Sequence, residues 1–178
     1  MIRITGGQFR SRLLKTPNSL KTKPTMDKVR QGVFSSIGEK VISAEVLDLF
    51  AGSGSYGFEA LSRGAKMVTF VDNGYEQIKI IKDNARTLGI ENSSNIVRYD
   101  VLNFLSENKS KYDLIFVDPP YRLDVYYKII DTILSNSNLS DDGVLILEAE
   151  DILDIDENIF KIKILEYGTA KIHILRRK

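Results

Sequence analysis

Residues 47–57 read LDLFAGSGSYG, an apolar run that breaks into Gly52, Gly54 and Gly57 in the spacing G-x-G-x-x-G. Directly after a strand, glycines at this spacing let the backbone approach a ligand and open the next helix without steric cost. Asp72 ends the following apolar run, twenty residues after Gly52. An acid at that distance can bind the two hydroxyls of a ribose. The combination predicts a nucleoside-binding turn at the first strand of a parallel α/β sheet.

The chemistry around the turn narrows the nucleoside. A phosphate-cradling loop needs Lys followed by Ser or Thr after its last glycine, and here Phe58 and Glu59 follow Gly57. A dinucleotide oxidoreductase fits the spacing, but nothing downstream resembles a hydride-transfer site. Asp48, just before the loop, would repel a pyrophosphate and would suit a ligand bearing a positive amine. S-adenosylmethionine has that character: adenosine, a sulfonium and an amino-acid end, with no phosphate. Asp100 follows a third strand in NIVRYDVLNFL, where its carboxylate and the Val101 amide are placed to meet an adenine edge.

Working outward, strand-like runs at 46–50, 67–72, 95–99, 114–118 and 144–148 alternate with helical patterns, the sign of a parallel sheet with crossover helices. Helices are expected from Ser55 to Gly64, over Ile78, Ile81, Ala85 and Leu88 up to Gly89, and over Val125, Ile129, Ile130 and Ile133. FKIKIL and AKIHIL then alternate strictly around EYGT and predict an antiparallel hairpin at one sheet edge. His173 alternates with Ile172 and Ile174 and is expected on the surface of an edge strand. At the other end, MIRITGG and QFRSRLLK read as a short hairpin around Gly6 and Gly7. Thr25 is placed to cap a helix carrying Val29, Val33, Phe34 and Ile37.

The fourth strand runs into Asp118-Pro119-Pro120-Tyr121. Proline has no N–H and a fixed φ, so this turn is stiff and poor in donors. Its free acceptors, the Asp118 carboxylate and the Pro119 carbonyl, suit an NH₂ group with two donors. An exocyclic amine held by both N–H groups presents its nitrogen to a methyl donor, and orientation with local electrostatics carries the displacement. Tyr121 offers a face for stacking a base that has left its own stack.

Charge is unevenly divided. Residues 1 to 30 carry eight basic side chains against Asp27 alone, a charge of +7, which leaves −6 for the rest. Such a segment reads either as a solvated basic face or as a match for a polyanion, since phosphates reward clustered Lys and Arg through counterion release, and composition alone does not choose. Arg10, Arg12, Lys15, Lys23 and Arg30 are the candidate RNA contacts. The lysines of IKIIKDNAR read instead as a solvated helix face. With 178 residues and no cysteine, the chain suits a single core and excludes disulfides, thiolate metal sites and a cysteine nucleophile. No acidic spacing, Glu148 to Glu157 included, matches a metal loop, so no metal is expected. No apolar run reaches the roughly 18 residues that span a bilayer, and the N-terminus lacks a signal-peptide core. A cytoplasmic monomer without a membrane partner is the expectation.

With these motifs in order, the chain resembles the RsmD-type 16S ribosomal RNA guanine-N2 methyltransferases. The likeness runs from MIRITGGQFRSRLLKTP through TKPTMDKVRQGVFSSI, LDLFAGSGSYGFEALSRGA, FVD and IFVDPPY to YGTAKIHIL. The glycine loop and DPPY are shared by many methyltransferases, whereas the N-terminal hairpin with KPTMDKVR is particular to this family. The resemblance implies a Rossmann-like class I methyltransferase: α/β, a seven-stranded, mostly parallel sheet with a C-terminal antiparallel hairpin and a small N-terminal β-hairpin. It divides the chain into a basic hairpin and linker at 1–24 and a methyltransferase domain at 25–178.

The resemblance also implies S-adenosylmethionine as donor, and as acceptor a guanine in 16S ribosomal RNA or a small-subunit assembly particle. Phe50, Ala51, Gly52, Ser53 and Gly54 would line the cofactor loop, Asp72 would hold the ribose, Asp100 and Val101 the adenine, and Asp118 to Tyr121 the target base. Two positions depart from the family pattern. Lys23-Pro24-Thr25 stands for Arg-Pro-Thr, which removes a bidentate phosphate grip, and Ser55-Tyr56 stands for a small apolar pair. Adenine-N6 methylation of DNA or RNA, transfer to a protein glutamine amide, and a non-catalytic ribosome-assembly role are the competing functions. The last would need neither DPPY nor the cofactor loop.

Overall fold

The computed structural model describes residues 1–17, 25–120 and 123–178, with the side chains of Thr25, Leu123 and Asp124 left aside. Chain order is β1 (Ile2–Arg3), β2 (Leu13–Leu14), α1 (Thr25–Ile37), β3 (Glu45–Leu49), α2 (Ser55–Ser62), β4 (Met67–Asp72) and α3 (Tyr75–Leu88). It continues with β5 (Ser94–Arg98), α4 (Val101–Glu107), β6 (Tyr112–Val117), α5 (Leu123–Ser135), β7 (Leu139–Ala149), β8 (Phe160–Tyr167) and β9 (Ala170–Arg177).

Seven strands form one sheet in the order β5-β4-β3-β6-β7-β9-β8, and β1 pairs with β2 in a separate antiparallel ribbon. Strands β3 to β7 are mutually parallel, while β9 runs antiparallel to both β7 and β8. The order turns back between β3 and β6: the chain proceeds outward through β4 and β5, then returns to β3's other side. A crevice at such a reversal, beyond the carboxyl ends of the strands, is where open parallel sheets bind ligands.

Both faces of the sheet are covered, which explains why its central strands are apolar throughout rather than alternating. Val46, Phe70, Leu114, Phe116, Val144 and Ile146 pack with Val29, Val33 and Phe34 of α1 and Phe58 of α2. Leu47, Leu49, Ile115, Val117, Leu145 and Leu147 face Leu105 of α4 and Ile129 and Ile133 of α5. Ile4 and Leu14 from the N-terminal segment join the first cluster. Among the described residues no helix is long and apolar enough to cross a membrane.

Three sequence expectations need correction. The second strand of the N-terminal ribbon begins at Leu13, not Gln8. Residues 4–12 form its connection, held by Ser11 N–H on the Ile4 carbonyl and Ile4 N–H on the Arg12 carbonyl. A helix at 101–107 was not anticipated in the run after β5; its local cause is Asp100, whose Oδ1 accepts the Asn103 N–H at 2.9 Å.

His173 is the third. It is neither exposed nor on an edge strand: β9 lies between β7 and β8, and the side chain is fully buried. Its Nε2 accepts the Leu153 N–H at 3.0 Å, so the extended segment after β7 supplies the cover that alternation alone does not reveal.

Burial lowers the His173 pKa, against smaller raising contributions from backbone groups of Leu147 and Lys171. The unfolded chain, with histidine near its ordinary value of about 6.5, therefore binds more protons in the window just below that value. Stability is fully present above it and falls as pH drops toward the folded pKa. Urea titrations between about pH 7 and 5 should show a loss of stability that His173→Asn reduces; equal pH slopes in the two proteins would remove this contribution.

Candidate active site

The glycine turn after β3 is built from backbone in the left-handed region. Phe50, Gly52 and Gly54 have φ of 55°, 57° and 77°. Phe50 is the unusual member, since a bulky residue held there stores strain of a kind that gathers at ligand sites. Gly57 matters for packing instead. A Cβ on it would lie 2.2 Å from the Phe70 ring, so its absence lets α2 lie directly on β4.

Two carboxylates hold this turn in shape. Asp72, at the end of β4, accepts the Gly52 N–H through Oδ2 and the Gly74 N–H through Oδ1, at 2.9 and 2.8 Å. Asp48 is buried in β3 and accepts the Gly57 N–H at 2.9 Å. Its pKa is pushed up to about 8, raised chiefly by burial, eased by the Gly57 hydrogen bond and raised further by Asp72. A buried carboxyl this reluctant to ionise is one that a cationic ligand would favour. Asn84 of α3, which the sequence reading missed, donates from Nδ2 to the Ser53 carbonyl at 3.3 Å and to the Lys15 carbonyl at 3.0 Å. It thereby ties the glycine turn to the N-terminal segment.

The donor set fits S-adenosylmethionine. Asp48 in β3, Asp72 at the end of β4 and Asp100 after β5 present carboxyls, which suit hydroxyls, an amine and a sulfonium rather than phosphates. Asp100 also serves as the cap of α4, and Val101 is buried as that helix's first residue.

Across the reversal lies the end of β6. Asp118 follows Val117, with Pro119 buried and Pro120 exposed. Tyr121, expected to stack the base, and Lys23 of the basic segment lie outside the described residues. Burial raises the Asp118 pKa well above the usual carboxylate range, and the charges of Glu148 and Asp48 raise it further. Three carboxyl groups therefore share this corner, on the ends of the adjacent strands β3, β6 and β7. Among the described residues no group of three or more acidic or imidazole side chains is arranged to hold a metal ion.

Tyr56 is singled out in the sequence as a departure, but its partner Glu148 is not. Its ring stacks on Phe116, with centroids 5.0 Å apart and planes 15° from parallel, and its hydroxyl donates to Glu148 Oε2 at 2.7 Å. Its pKa is raised well above normal by burial, then by Glu148 and Asp118. The departure from a small apolar pair at 55–56 thus fills the cleft wall with a ring that grips Glu148.

The basic segment divides in two. Arg10, Arg12 and Lys15 are exposed; Arg12 donates weakly to the Thr87 carbonyl at 3.4 Å, and the Lys15 ammonium sits 3.6 Å from Asp83. Arg30 does not belong with them. It is 2% exposed, donates to the Arg3 carbonyl at 2.8 Å and to Asp27, and faces the fully buried Glu59 at 3.8 Å. Its helix position, one turn before Val33 and Phe34, turns it inward, so its charge serves the fold and is closed to RNA. Glu59 also accepts from Thr5 N–H, Thr5 Oγ1 and Arg63 Nε at 2.8, 2.7 and 2.9 Å.

Known proteins repeat this architecture. Ribosomal RNA small subunit methyltransferase D of Escherichia coli is 35% identical over 149 residues, covering 84% of this chain and 75% of its own. The solved Escherichia coli protein yhhF superposes with a TM-score of 0.90 at 29% identity, covering 99% of this chain and 98% of that one. The Thermus thermophilus 16S rRNA guanosine-N2 methyltransferase RsmC, solved with AdoMet and guanosine, shares the fold at a TM-score of 0.73 and 20% identity, over 92% of this chain and 45% of its own. The model of the family described as Conserved hypothetical protein 95 matches residues 2–176. With sequence and fold in agreement along nearly the whole chain, this protein belongs to that family, the RsmD family of methyltransferases.

Proposed function

We propose that the protein transfers a methyl group from S-adenosylmethionine to the N2 amine of a guanine in 16S ribosomal RNA. The observation that carries this reading is the placement of Asp118 at the strand-order reversal, partly covered beside the glycine turn and within reach of the carboxyls of Glu148 and Asp48. The named relatives supply the ribosomal RNA. Bound S-adenosylmethionine supplies an electrophilic methyl group. The chain's own residues do the rest: Asp72 and Asp100 orient the nucleoside, and Asp48 offers beneath the turn a carboxyl that a bound cation would ionise. Asp118 accepts an N–H of the target amine and aims its nitrogen. After transfer the nitrogen is cationic and acidic, and the high proton affinity of Asp118 makes it a suitable place for the departing proton.

The founding test compares ribosomal RNA nucleosides, by mass spectrometry, from cells with and without the gene. Loss of one N2-methylguanosine is expected. Loss of N6-methyladenosine in its place would transfer the same corner to adenine, and an unchanged set of nucleosides would overturn the reading.

Asp118 must be ionised to take up that proton, and desolvation with the charges of Glu148 and Asp48 places that ionisation above the usual carboxylate range. The rate constant kcat/KM should therefore climb with pH through that ionisation and then level. Asp48→Asn removes one of the opposing charges and should move the climb to lower pH. A profile unmoved by that change would disconnect the two carboxyls.

For the exposed cations, Arg10, Arg12 and Lys15 changed together to Gln should weaken RNA binding at low salt. The slope of log affinity against log salt should lessen by about two to three units, near 0.9 for each phosphate no longer neutralised. An unchanged slope would make this face merely solvated.

A further inference from the structure

Glu148 is not absorbed by the catalytic reading, yet it stands beside Asp118. In the parallel pair β6–β7, Val117 aligns with Leu147 and Phe116 with Ile146. The next residues, Asp118 and Glu148, therefore leave neighbouring strand ends about 4.8 Å apart and on the same side. The side is that of Tyr56, which feels both charges and donates to Glu148 Oε2. Glu148 is held at two further points. The Tyr126 hydroxyl donates to its backbone carbonyl at 2.6 Å, and the stacking on Phe116 fixes the ring that grips its carboxylate. Among the described residues Oε1 accepts no hydrogen bond, and Glu148 is only partly covered.

We propose that Glu148 accepts the N1–H of the target guanine and so selects guanine over adenine in the amine-binding corner. This rests on the guanine reading above and names the residue that reads the base. The edge of guanine carries N2–H₂ and N1–H side by side, two donors that match two carboxylates on adjacent strands. Adenine's amine is flanked by N1 with a lone pair, which an ionised Glu148 repels. Asp118 alone holds any exocyclic amine; the neighbouring acceptor is what distinguishes them. Burial raises the Glu148 pKa, but the Tyr56 hydrogen bond and the Arg30 charge pull it back toward the ionised, accepting form.

The test uses 2-aminopurine, which keeps the 2-amine and replaces N1–H by a lone pair. Once the methylated position is known, 16S ribosomal RNA is joined from segments carrying guanosine or 2-aminopurine riboside there. It is offered free and in reconstituted small subunits to the full-length protein. The unchanged protein should prefer guanosine by roughly 10- to 100-fold in kcat/KM. Glu148→Gln, whose amide donates as readily as it accepts, should bring the two substrates within severalfold while cofactor affinity holds. Glu148→Asp, which withdraws the carboxylate, should also narrow the ratio.

A ratio near one in the unchanged protein overturns the proposal without any variant, as does an undiminished ratio in Glu148→Gln. Failure of the guanine reading appears separately, in the nucleoside comparison, as the absence of any missing N2-methylguanosine.

Discussion

Asp118→Ala is expected to lower methyl transfer by roughly 10³-fold or more, the scale of losing an electrostatic group aimed at the reacting atom together with the orientation it enforces. Cofactor affinity should remain within severalfold, because the glycine turn is shaped by Asp48 and Asp72 on other strands. The fold should tolerate the change. A partly covered carboxyl with a strongly raised pKa is already a burden to the folded state, and its removal relieves the repulsion with Glu148 and Asp48. Asp118→Asn keeps the shape and one acceptor but points a donor pair at the amine, so it should fall between. Single-turnover methylation with the cofactor in excess is the deciding measurement. Near-normal turnover in Asp118→Ala would remove this residue from the chemistry.

The second large effect is structural. Glu59→Ala should destabilise the protein by about 3–5 kcal/mol, the scale of breaking a buried ion-pair and hydrogen-bond network by removing one member. Arg30 keeps Asp27 and the Arg3 carbonyl but loses the carboxylate facing its Nε, which has no hydrogen-bond partner even with Glu59 in place at 3.8 Å. The same carboxylate accepts the Thr5 N–H and hydroxyl and the Arg63 guanidinium, so its loss also frees the N-terminal segment from α2. Changing both Glu59 and Arg30 to Met should cost less than Glu59→Ala alone, since no charge is then stranded. Chemical denaturation with circular dichroism reads both. A loss below about 1 kcal/mol for Glu59→Ala would mean that the ion pair is no more than a surface contact in its effect.

These two residues illustrate different degrees of legibility. Asp118 was readable because its identity, its prolines and its place after an apolar run all act locally. Glu59 was visible in the chain only as the wrong residue for a phosphate loop. Besides Arg63 one turn on, its partners lie 54 residues away at Thr5 and 29 away at Arg30. The basic count of the first thirty residues treated Arg30 like Arg10 and Arg12, because net charge carries no information about which way a helix faces. His173 misled for a related reason: strict alternation says that two faces differ, not that both are covered.

The sequence by itself determined the class of fold, the order of the main elements and the position of the glycine turn. Glycine spacing, apolar runs and strand-end acids each act within a few residues or one strand-helix unit. Only the tertiary structure decided which charges face solvent, what covers β9 and which groups surround Asp118. Tyr56 and Glu148 are 92 residues apart and meet because β6 and β7 are adjacent and α2 lies over them. Side-chain neighbours across a sheet are set by strand order and register, and those arise from burying both faces of the whole sheet at once.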